Sequence, residues 1–333
     1  MISRHSLAIA VALCLSAAWS VFPCSTALVL NSDETVTGRT MDFGVDMQTV
    51  INIVPKGTTY RFGTTKLNFV SFDAFGHVIG HGINEKGLSV ASLWLNPTEY
   101  PTNAPSGKKL VGVLEFSPFV LGTMTTVREV LAFFDSGDID FNDLPPEIKK
   151  LDLLHQHLYF VDSRGETLLL EWLGGKRHAY LNETPVIVND PPFEEQRKIW
   201  DAQLASKEDI INYEYNLISK RMHDPDSRYE MLRRLTEQSL PTKGPANIDK
   251  AFQIMKRVSY MPIKPYLGGD VSWTLYTVVM VHTKDAVRVF YTDDENEAIR
   301  MIDFGALEWK NKRLPMKAGP KYLDMTPVFN ATN

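Results

Sequence analysis

Cysteine is almost absent from this chain of 333 residues, which contains only Cys14 and Cys24. Cys14 lies in an N-terminal apolar segment that we expect to be removed, so a single cysteine remains and a disulfide framework is excluded. An unpaired thiol in an exported protein is a core residue, a lipid anchor or a reactive group. The Val-Phe-Pro sequence before Cys24 lacks the small residue of a lipoprotein signal. On the cysteine alone, core and catalytic roles are equally favoured.

The sequence also lacks an excess of positive charge and any later apolar run of membrane length. It has 35 Lys and Arg against 40 Asp and Glu, a net charge of −5. A mildly acidic chain has no general attraction for nucleic acid or anionic lipid, and no base-reading motif occurs. A membrane span needs about 20 apolar residues. We therefore expect no nucleic-acid partner and no permanent membrane anchor.

The N-terminus has the pattern of a secretion signal. Arg4 precedes an apolar run over residues 7–19 that ends in small residues. We expect signal cleavage near Ser20 and later removal of residues 21–23. Residues 24–333 then form a single domain of a secreted or periplasmic protein.

The segment that follows predicts a β-hairpin with the thiol at its open end. Residues 25–30 are apolar or β-branched, residues 31–34 have turn chemistry, and a second strand begins at Thr35. Symmetric pairing places Cys24 opposite Met41.

Arg39 and Asp42 then flank the cysteine. Strict alternation puts these two side chains on opposite faces of the strand, so we expect a bulge or a strand end near Gly38. Their alternative role is an ordinary ion pair at a strand end.

The rest of the chain alternates between groups of strands and groups of helices. The predicted segments are strands in 50–95, with a turn at 82–87, helices in 117–134, strands in 157–189, helices in 193–258 and strands in 271–303. Thr126 and Glu129 form a capping box, and Ser227 and Glu230 a second one. This order predicts a layered α+β domain.

A cysteine at a mature N-terminus carries its own base. The α-amine has a pKa of about 8 and the thiol one of about 8.5, so near neutrality the amine can accept the thiol proton without a histidine. A neighbouring Arg39 would favour the thiolate, and Asp42 is suited to orient the amine.

Four motifs carry a resemblance to a known family. They are Cys24 itself, GRTMDFG at 38–44, GINEKGL at 82–88 and VNDPPF at 188–193. In this order they resemble the choloylglycine hydrolase and penicillin V acylase family of N-terminal-nucleophile amidohydrolases, and the similarity extends through WTLYT at 273–277. The resemblance implies a four-layer αββα fold with two antiparallel sheets between helices, and no metal or cofactor.

The resemblance also implies roles for particular residues. Cys24 corresponds to the nucleophile, Arg39 to the arginine beside the thiol and Asp42 to the aspartate that holds the amine. Asn189 corresponds to the oxyanion-hole asparagine, and its amide is a suitable donor. The alternative for Asn189 is an Asx turn before Pro191.

Two positions depart from the family pattern. Trp94 stands where bile salt hydrolases have asparagine and gram-positive acylases have tyrosine. It resembles the gram-negative branch and, with Phe43, suggests an apolar acyl pocket, although a strand tryptophan is often core. Counting back from Pro262 puts Lys250 at the position of the family arginine, with Arg257 as the alternative.

These observations predict an exported hydrolase of linear amides. The expected partner is a small N-acyl amide, of penicillin V or N-acyl homoserine lactone type, with conjugated bile salts as the alternative. The resemblance also implies a homo-oligomer, a tetramer. A non-catalytic exported binding protein on the same fold is the alternative of a different class.

Overall fold

A computed structural model describes most of the chain. The described residues are 24–30, 34–76, 78–101, 111–136, 139–140, 155–206, 225–240, 242–260 and 272–319. The predicted signal segment, the hairpin turn at 31–33 and the Pro262 reference point lie outside the described residues.

The strands and helices are numbered in chain order. The strands are β1 Ser25–Leu30, β2 Glu34–Phe43, β3 Val50–Val54, β4 Thr59–Tyr60, β5 Gly63–Thr64, β6 Phe69–Ala74, β7 Val78–Asn84, β8 Ser89–Trp94, β9 Val111–Gly112, β10 Ile139–Asp140, β11 Gln156–Val161, β12 Thr167–Leu173, β13 Lys176–Leu181, β14 Val186–Val188, β15 Trp273–Thr283, β16 Val287–Asp293, β17 Asn296–Asp303 and β18 Lys312–Pro315. The helices are α1 Phe116–Thr123, α2 Val127–Ser136, α3 Phe193–Ser206, α4 Pro225–Gln238 and α5 Pro245–Lys256.

Two large antiparallel sheets form the centre of the fold. The six-stranded sheet has the order β14-β1-β2-β15-β16-β17, and the eight-stranded sheet the order β13-β12-β11-β8-β7-β6-β3-β18. Side chains such as Met41, Phe72 and Tyr276 form one core between the sheets. Helices α1 and α2 pack on the outer face of the eight-stranded sheet, and α4 and α5 on that of the six-stranded sheet. The predicted four-layer αββα fold is confirmed.

Strand β2 shows how both faces of a sheet are used. Its odd-numbered residues Arg39, Met41 and Phe43 face the space between the sheets, and its even-numbered residues face the helices. A Cβ atom on Gly38 would lie 2.7 Å from the Met255 side chain, so glycine allows α5 to approach the strand closely. Because both faces are covered, nearly every residue of β2 is buried.

The predicted hairpin register is confirmed. Ser25 pairs with Thr40 in an unbroken β1–β2 ladder, so Cys24 lies opposite Met41. The expectation of a bulge or a strand end near Gly38 is wrong, because β2 continues without interruption from Glu34 to Phe43. The irregularity lies instead in the neighbouring strand, where the β2–β15 register shifts between Thr274 and Tyr276.

The predicted turn at residues 82–87 is also wrong in its extent. Strand β7 continues to Asn84, and the turn follows it. A Cβ atom on Gly82 would lie 2.7 Å from Leu121, so this glycine serves the close packing of α1 rather than a turn.

The two predicted capping boxes have different outcomes. At the start of α2, Glu129 N donates to Thr126 Oγ1 (3.2 Å) and Thr126 N donates to the Glu129 carboxylate (3.1 Å), which confirms the first. Helix α4 begins at Pro225, so Ser227 and Glu230 lie inside its first turns. Among the described residues, no helix is long and apolar enough to cross a membrane.

Candidate active site

Cys24 lies directly before β1, at one end of the strands of the six-stranded sheet. Strand β2 ends and β15 begins at this same end of the sheet. The β1–β14 ladder brings Asn189 next to Cys24. Cys24 is 4% exposed and unpaired. The pairing of β14, β1 and β2 therefore brings the predicted site residues Arg39, Asp42 and Asn189 close to Cys24.

The thiol has a mixed electrostatic environment. Arg39 Nη2 lies 3.8 Å from Sγ and Met41 Sδ lies 3.7 Å from it. Burial raises the pKa of the Cys24 thiol and outweighs Arg39, which lowers it. Arg39 favours the thiolate, as expected, but burial favours the neutral thiol more strongly. At neutral pH the resting thiol is protonated, and its activation requires a base.

Arg39 is held by the opposite sheet. Its guanidinium is fully buried and donates to the main-chain oxygens of Gly80 and Ser92. A Cβ atom on Gly80 would lie 3.3 Å from both Arg39 Nη1 and Tyr276 Oη, and 2.7 Å from Met41 Cε. Glycine at position 80 thus leaves room for the guanidinium beside the thiol.

Asp42 reaches the sulfur only through its main chain. Its carbonyl oxygen is 3.9 Å from Cys24 Sγ, whereas its carboxylate faces the helices and accepts hydrogen bonds from Thr40 Oγ1 (2.9 Å) and Thr274 Oγ1. Strict alternation is thus retained. Burial raises the pKa of the Asp42 carboxyl to about 7, against the opposing effect of the Thr274 hydrogen bond.

This raised pKa predicts a pH dependence of stability. Because the folded state prefers the protonated Asp42 carboxyl, its contribution is full below the unfolded pKa of about 4 and is lost as the pH rises through about 7. Asp42→Asn keeps an oxygen for both threonine hydroxyls but does not ionise. We expect the Tm of the wild type to fall by several degrees more than that of the variant over this range in thermal unfolding. Parallel Tm curves for the two proteins would contradict the prediction.

Asn189 uses both ends of its amide. Its Oδ1 accepts hydrogen bonds from the main-chain nitrogen of Cys24 and from Arg228 Nη2 (3.2 Å), and its Nδ2 donates to the Trp94 carbonyl oxygen (2.9 Å). One amide hydrogen of Nδ2 remains for another acceptor. The Asn189 side chain therefore contacts three distant segments instead of its own turn. The nitrogen of Cys24, which was expected to be held by Asp42, is held by Asn189 in this unprocessed chain.

Arg228 is the site residue that the sequence analysis missed. It lies in the first turn of α4, is 1% exposed, and donates from Nη1 to Cys24 O (2.6 Å) and Ser25 Oγ (2.7 Å). With Arg39 on the inter-sheet side and Arg228 on the helix side, two guanidinium groups flank Cys24. The available sequence signal was a helix start at Pro225 that contains an arginine.

The structure places Lys250 elsewhere. Its ammonium group donates to the carbonyl oxygen of Leu240 (2.8 Å), and burial alone lowers its pKa. Arg257, the alternative, directly follows the last residue of α5. The buried face of α5 consists of Asn247, Ala251, Phe252, Ile254 and Met255 and excludes Lys250. The second cation beside Cys24 comes from α4 and contacts the Cys24 main-chain oxygen, so no count along α5 reveals it.

Trp94 is the last residue of β8, and Phe43 is the last residue of β2. Both lie at the end of the sheets where Cys24 lies. Trp94 is half-buried, donates from Nε1 to Asn96 Oδ1 (2.7 Å), and packs its ring 5.2 Å from the His155 ring. Phe43 is buried and makes an edge-to-face contact with Phe75 at 6.2 Å. The Trp94 main chain thus contacts Asn189 while its ring packs on His155, whereas Phe43 belongs mainly to the core between the sheets.

A cavity of about 370 Å³ opens beside the start of β15, at the same end of the sheets. Its apolar walls are Val50, Leu275, Tyr276, Pro315 and Met316, and charged residues at its rim include Asp46 and Lys317. Within the described part of the chain, no group of three or more His, Cys, Asp or Glu residues is arranged to hold a metal ion.

Comparisons with known proteins place this geometry in context. Residues 24–212 match the model of a family described as linear amide C-N hydrolases, choloylglycine hydrolase family. A penicillin V acylase of Pectobacterium atrosepticum is 29% identical over 189 residues, which cover 51% of this chain and 50% of that protein. The chain thus spans about half the length of the curated relative that it matches.

Solved structures show the same fold at lower sequence identity. The penicillin V acylase of Agrobacterium tumefaciens has a TM-score of 0.69 and 18% identity, with 87% of this chain and 90% of that chain covered. A variant of the conjugated bile acid hydrolase of Clostridium perfringens has a TM-score of 0.74 and 19% identity, with 92% and 100% covered.

Proposed function

Because this chain belongs to the choloylglycine hydrolase family of linear amide C-N hydrolases, we propose that it hydrolyses a linear amide with Cys24 as its nucleophile. The observation that carries the proposal is the position of Cys24. Its thiol is next to Arg39, and its main-chain nitrogen points at the Asn189 amide. The family match also begins at this residue.

The first half of the reaction forms an acyl-thioester. Removal of residues 1–23 converts the Cys24 nitrogen into a free amine, which accepts the thiol proton. The sulfur then attacks the substrate carbonyl carbon, and negative charge develops on the carbonyl oxygen. The unused N–H of Asn189 Nδ2 donates to that oxygen. When the intermediate collapses, the C–N bond breaks and the leaving amine takes the proton from the Cys24 ammonium.

The second half of the reaction releases the acid. The Cys24 amine accepts a proton from water, the hydroxide oxygen attacks the thioester carbonyl, and the C–S bond breaks to regenerate the thiol. Arg39 stabilises negative charge on sulfur during both halves from 3.8 Å. Arg228 holds the Asn189 oxygen and the Cys24 carbonyl in place.

The proposed substrate is an amide with an apolar acyl group, of penicillin V or N-acyl homoserine lactone type. Two observations support this class. The main-chain oxygen of the half-buried Trp94 contacts Asn189, and a partly apolar cavity lined by Leu275 and Tyr276 lies at the start of β15. Conjugated bile salts are the second candidate, favoured by the shared fold of the Clostridium perfringens hydrolase.

The proposal includes export and processing. Residues 1–20 have the composition of a secretion signal. We propose that the signal is cleaved near Ser20 and that residues 21–23 are then removed by the protein itself, in a secreted or periplasmic location. A homo-oligomer, tetrameric by family resemblance, is the proposed assembly.

A hydrolysis screen tests the proposed function. Purified mature protein is incubated with penicillin V, an N-acyl homoserine lactone and a glycine-conjugated bile salt, and the released amine is quantified. We expect turnover of at least one of the first two substrates. Binding of these compounds without amine release, in a chain that begins at Cys24, would instead support the non-catalytic binding protein.

A further prediction separates the two candidate cations. Arg228→Ala should lower kcat by roughly 10²-fold or more, because it releases Asn189 and leaves buried oxygens without their donor. Lys250→Ala should keep kcat within about twofold of wild type, since among the described residues its ammonium donates to the carbonyl oxygen of Leu240, away from Cys24. Steady-state kinetics on a cleaved substrate decides. Full activity of Arg228→Ala, or a large loss in Lys250→Ala, would contradict this assignment.

A further inference from the structure

A buried carboxylate and a buried imidazole lie close to the Asn189 segment and have no role in the proposed chemistry. Glu171 in β12 and His157 in β11 are both 0% exposed, and His157 Nδ1 lies 3.0 Å from Glu171 Oε1. Both face the space between the sheets, because their strand alternation matches that of the core residues Leu169 and Tyr159.

Glu171 also binds the start of a helix. Both of its carboxylate oxygens accept the main-chain N–H of Phe193, the first residue of α3, at 3.1 and 3.2 Å. A buried carboxylate costs several kcal/mol unless hydrogen bonds and nearby positive charge compensate for its lost hydration. The helix N-terminus and the His157 N–H supply that compensation. Among the described residues, His157 Nε2 has no partner, so the ring serves Glu171 through Nδ1 alone.

The helix start that Glu171 holds is joined directly to the oxyanion residue. Phe193 is the fourth residue after Asn189, and Pro192 between them accepts the main-chain N–H groups of Glu195 (2.9 Å) and Gln196 (3.1 Å). Gln196 Nε2, one turn into α3, donates to the main-chain oxygens of Asn189 (3.0 Å) and Pro191 (2.6 Å). A shift of the α3 N-terminus therefore moves the Asn189 main chain with it.

The other side of the segment is fixed from outside. The Asp190 carboxylate accepts hydrogen bonds from Asn96 N (2.9 Å) and Asn96 Nδ2 (3.0 Å), and Asn189 Nδ2 donates to Trp94 O. The two Asn96 contacts are solvent-exposed, and the Trp94 contact is partly buried. The inner contact with Glu171 is fully buried and charge-assisted, so it determines the position of the segment more strongly.

We propose that Glu171 and His157 are positioning residues that set the location of the Asn189 amide for the oxyanion. Glu171 fixes the start of α3, and His157 fixes the Glu171 carboxylate. The inference rests on the proposed role of Asn189 as the oxyanion donor. A misplacement of about 1 Å in such a group can cost on the order of 10²-fold in rate.

The chain offers a matched control in Asp162. This carboxylate is also 0% exposed and accepts the N–H of Val127, the first residue of α2, at 3.3 Å. Asp162 directly follows the last residue of β11, whereas His157 is the second residue of that strand. Asp162 therefore lies at the opposite end of the strands from Cys24. It matches Glu171 in burial and in its helix contact but not in location, and its charged partner is Arg164 (3.2 Å).

The test compares Glu171→Gln with Asp162→Asn in the mature protein, with penicillin V or another cleaved amide as substrate. Both variants should lower Tm. Glu171→Gln should lower kcat roughly tenfold to a hundredfold with KM within about twofold, and Asp162→Asn should leave kcat unchanged per folded molecule. His157→Asn, whose amide replaces the Nδ1 donor, should retain most of the kcat that His157→Leu loses.

Two outcomes would overturn the inference, and both can be distinguished from a failure of the proposed function. Unchanged kcat in Glu171→Gln, despite a lower Tm, would show that the pair supports only the fold. If the wild type cleaves no amide, the proposed function fails, and crystal structures of Glu171→Gln and Asp162→Asn decide about positioning. The inference predicts that the Asn189–Trp94 hydrogen bond is lost only in Glu171→Gln, and its retention there would refute the inference.

Discussion

Cys24→Ser should lower amide turnover by at least roughly 10³-fold while the protein remains folded. Serine is close to cysteine in size, so the contacts around the buried side chain are retained. Its hydroxyl is a much weaker nucleophile at neutral pH, and the loss of a nucleophile removes the covalent route. The comparison uses steady-state rates and circular dichroism on chains whose N-terminus is verified as residue 24.

Cys24→Ala provides the control for a purely structural cysteine. If Cys24 is only a core residue, both substitutions will lower Tm and leave the activity of the folded molecules unchanged. If it is the nucleophile, both variants will be inactive with normal spectra. Wild-type turnover by the serine variant would exclude the thiol mechanism.

Asn189→Ala should lower kcat by about 10² to 10³-fold with little change in KM, because an oxyanion donor acts mainly on the transition state. The substitution also removes the acceptor of the Cys24 nitrogen and one partner of Arg228. Steady-state kinetics and thermal unfolding of the same preparations give both effects.

Asn84 is the matched control for Asn189. It is equally buried, and its Nδ2 donates to the carbonyl oxygens of Leu121 (3.0 Å) and Met124 (2.8 Å), away from Cys24. Asn84→Ala should therefore lower Tm at least as much as Asn189→Ala and keep its kcat. Equal catalytic losses in the two variants would show that Asn189 acts only through stability.

The sequence allowed the local geometry around Cys24 to be predicted well. The period of two in a strand and the turn residues at 31–34 determine the register that places Cys24 opposite Met41. The same rule puts Arg39 at the sulfur and turns the Asp42 carboxylate away. The expected irregularity near Gly38 is absent, and the Cys24 nitrogen contacts Asn189 instead of Asp42.

The missed features depend on contacts between distant segments. Gly82 was interpreted as a turn residue, because a sequence does not distinguish a glycine needed for positive φ from one needed for close helix packing. Lys250 was chosen, with Arg257 as the alternative, by counting back from Pro262. Arg228 was not considered, because the charge and position of a residue in a helix are visible in a sequence, but the direction of the helix toward the sheet is not. Glu171 had a signal, since a lone carboxylate within the apolar run LLLEWL is unusual for a buried strand.

The intact mass of the purified protein, quenched with acid during turnover, tests the central claim most directly. We predict a polypeptide that begins at Cys24 and a fraction that is heavier by the acyl group, with the added mass on the N-terminal peptide. A chain that hydrolyses the substrate while residues before Cys24 are still attached, or that carries the acyl group elsewhere, would contradict the N-terminal cysteine mechanism.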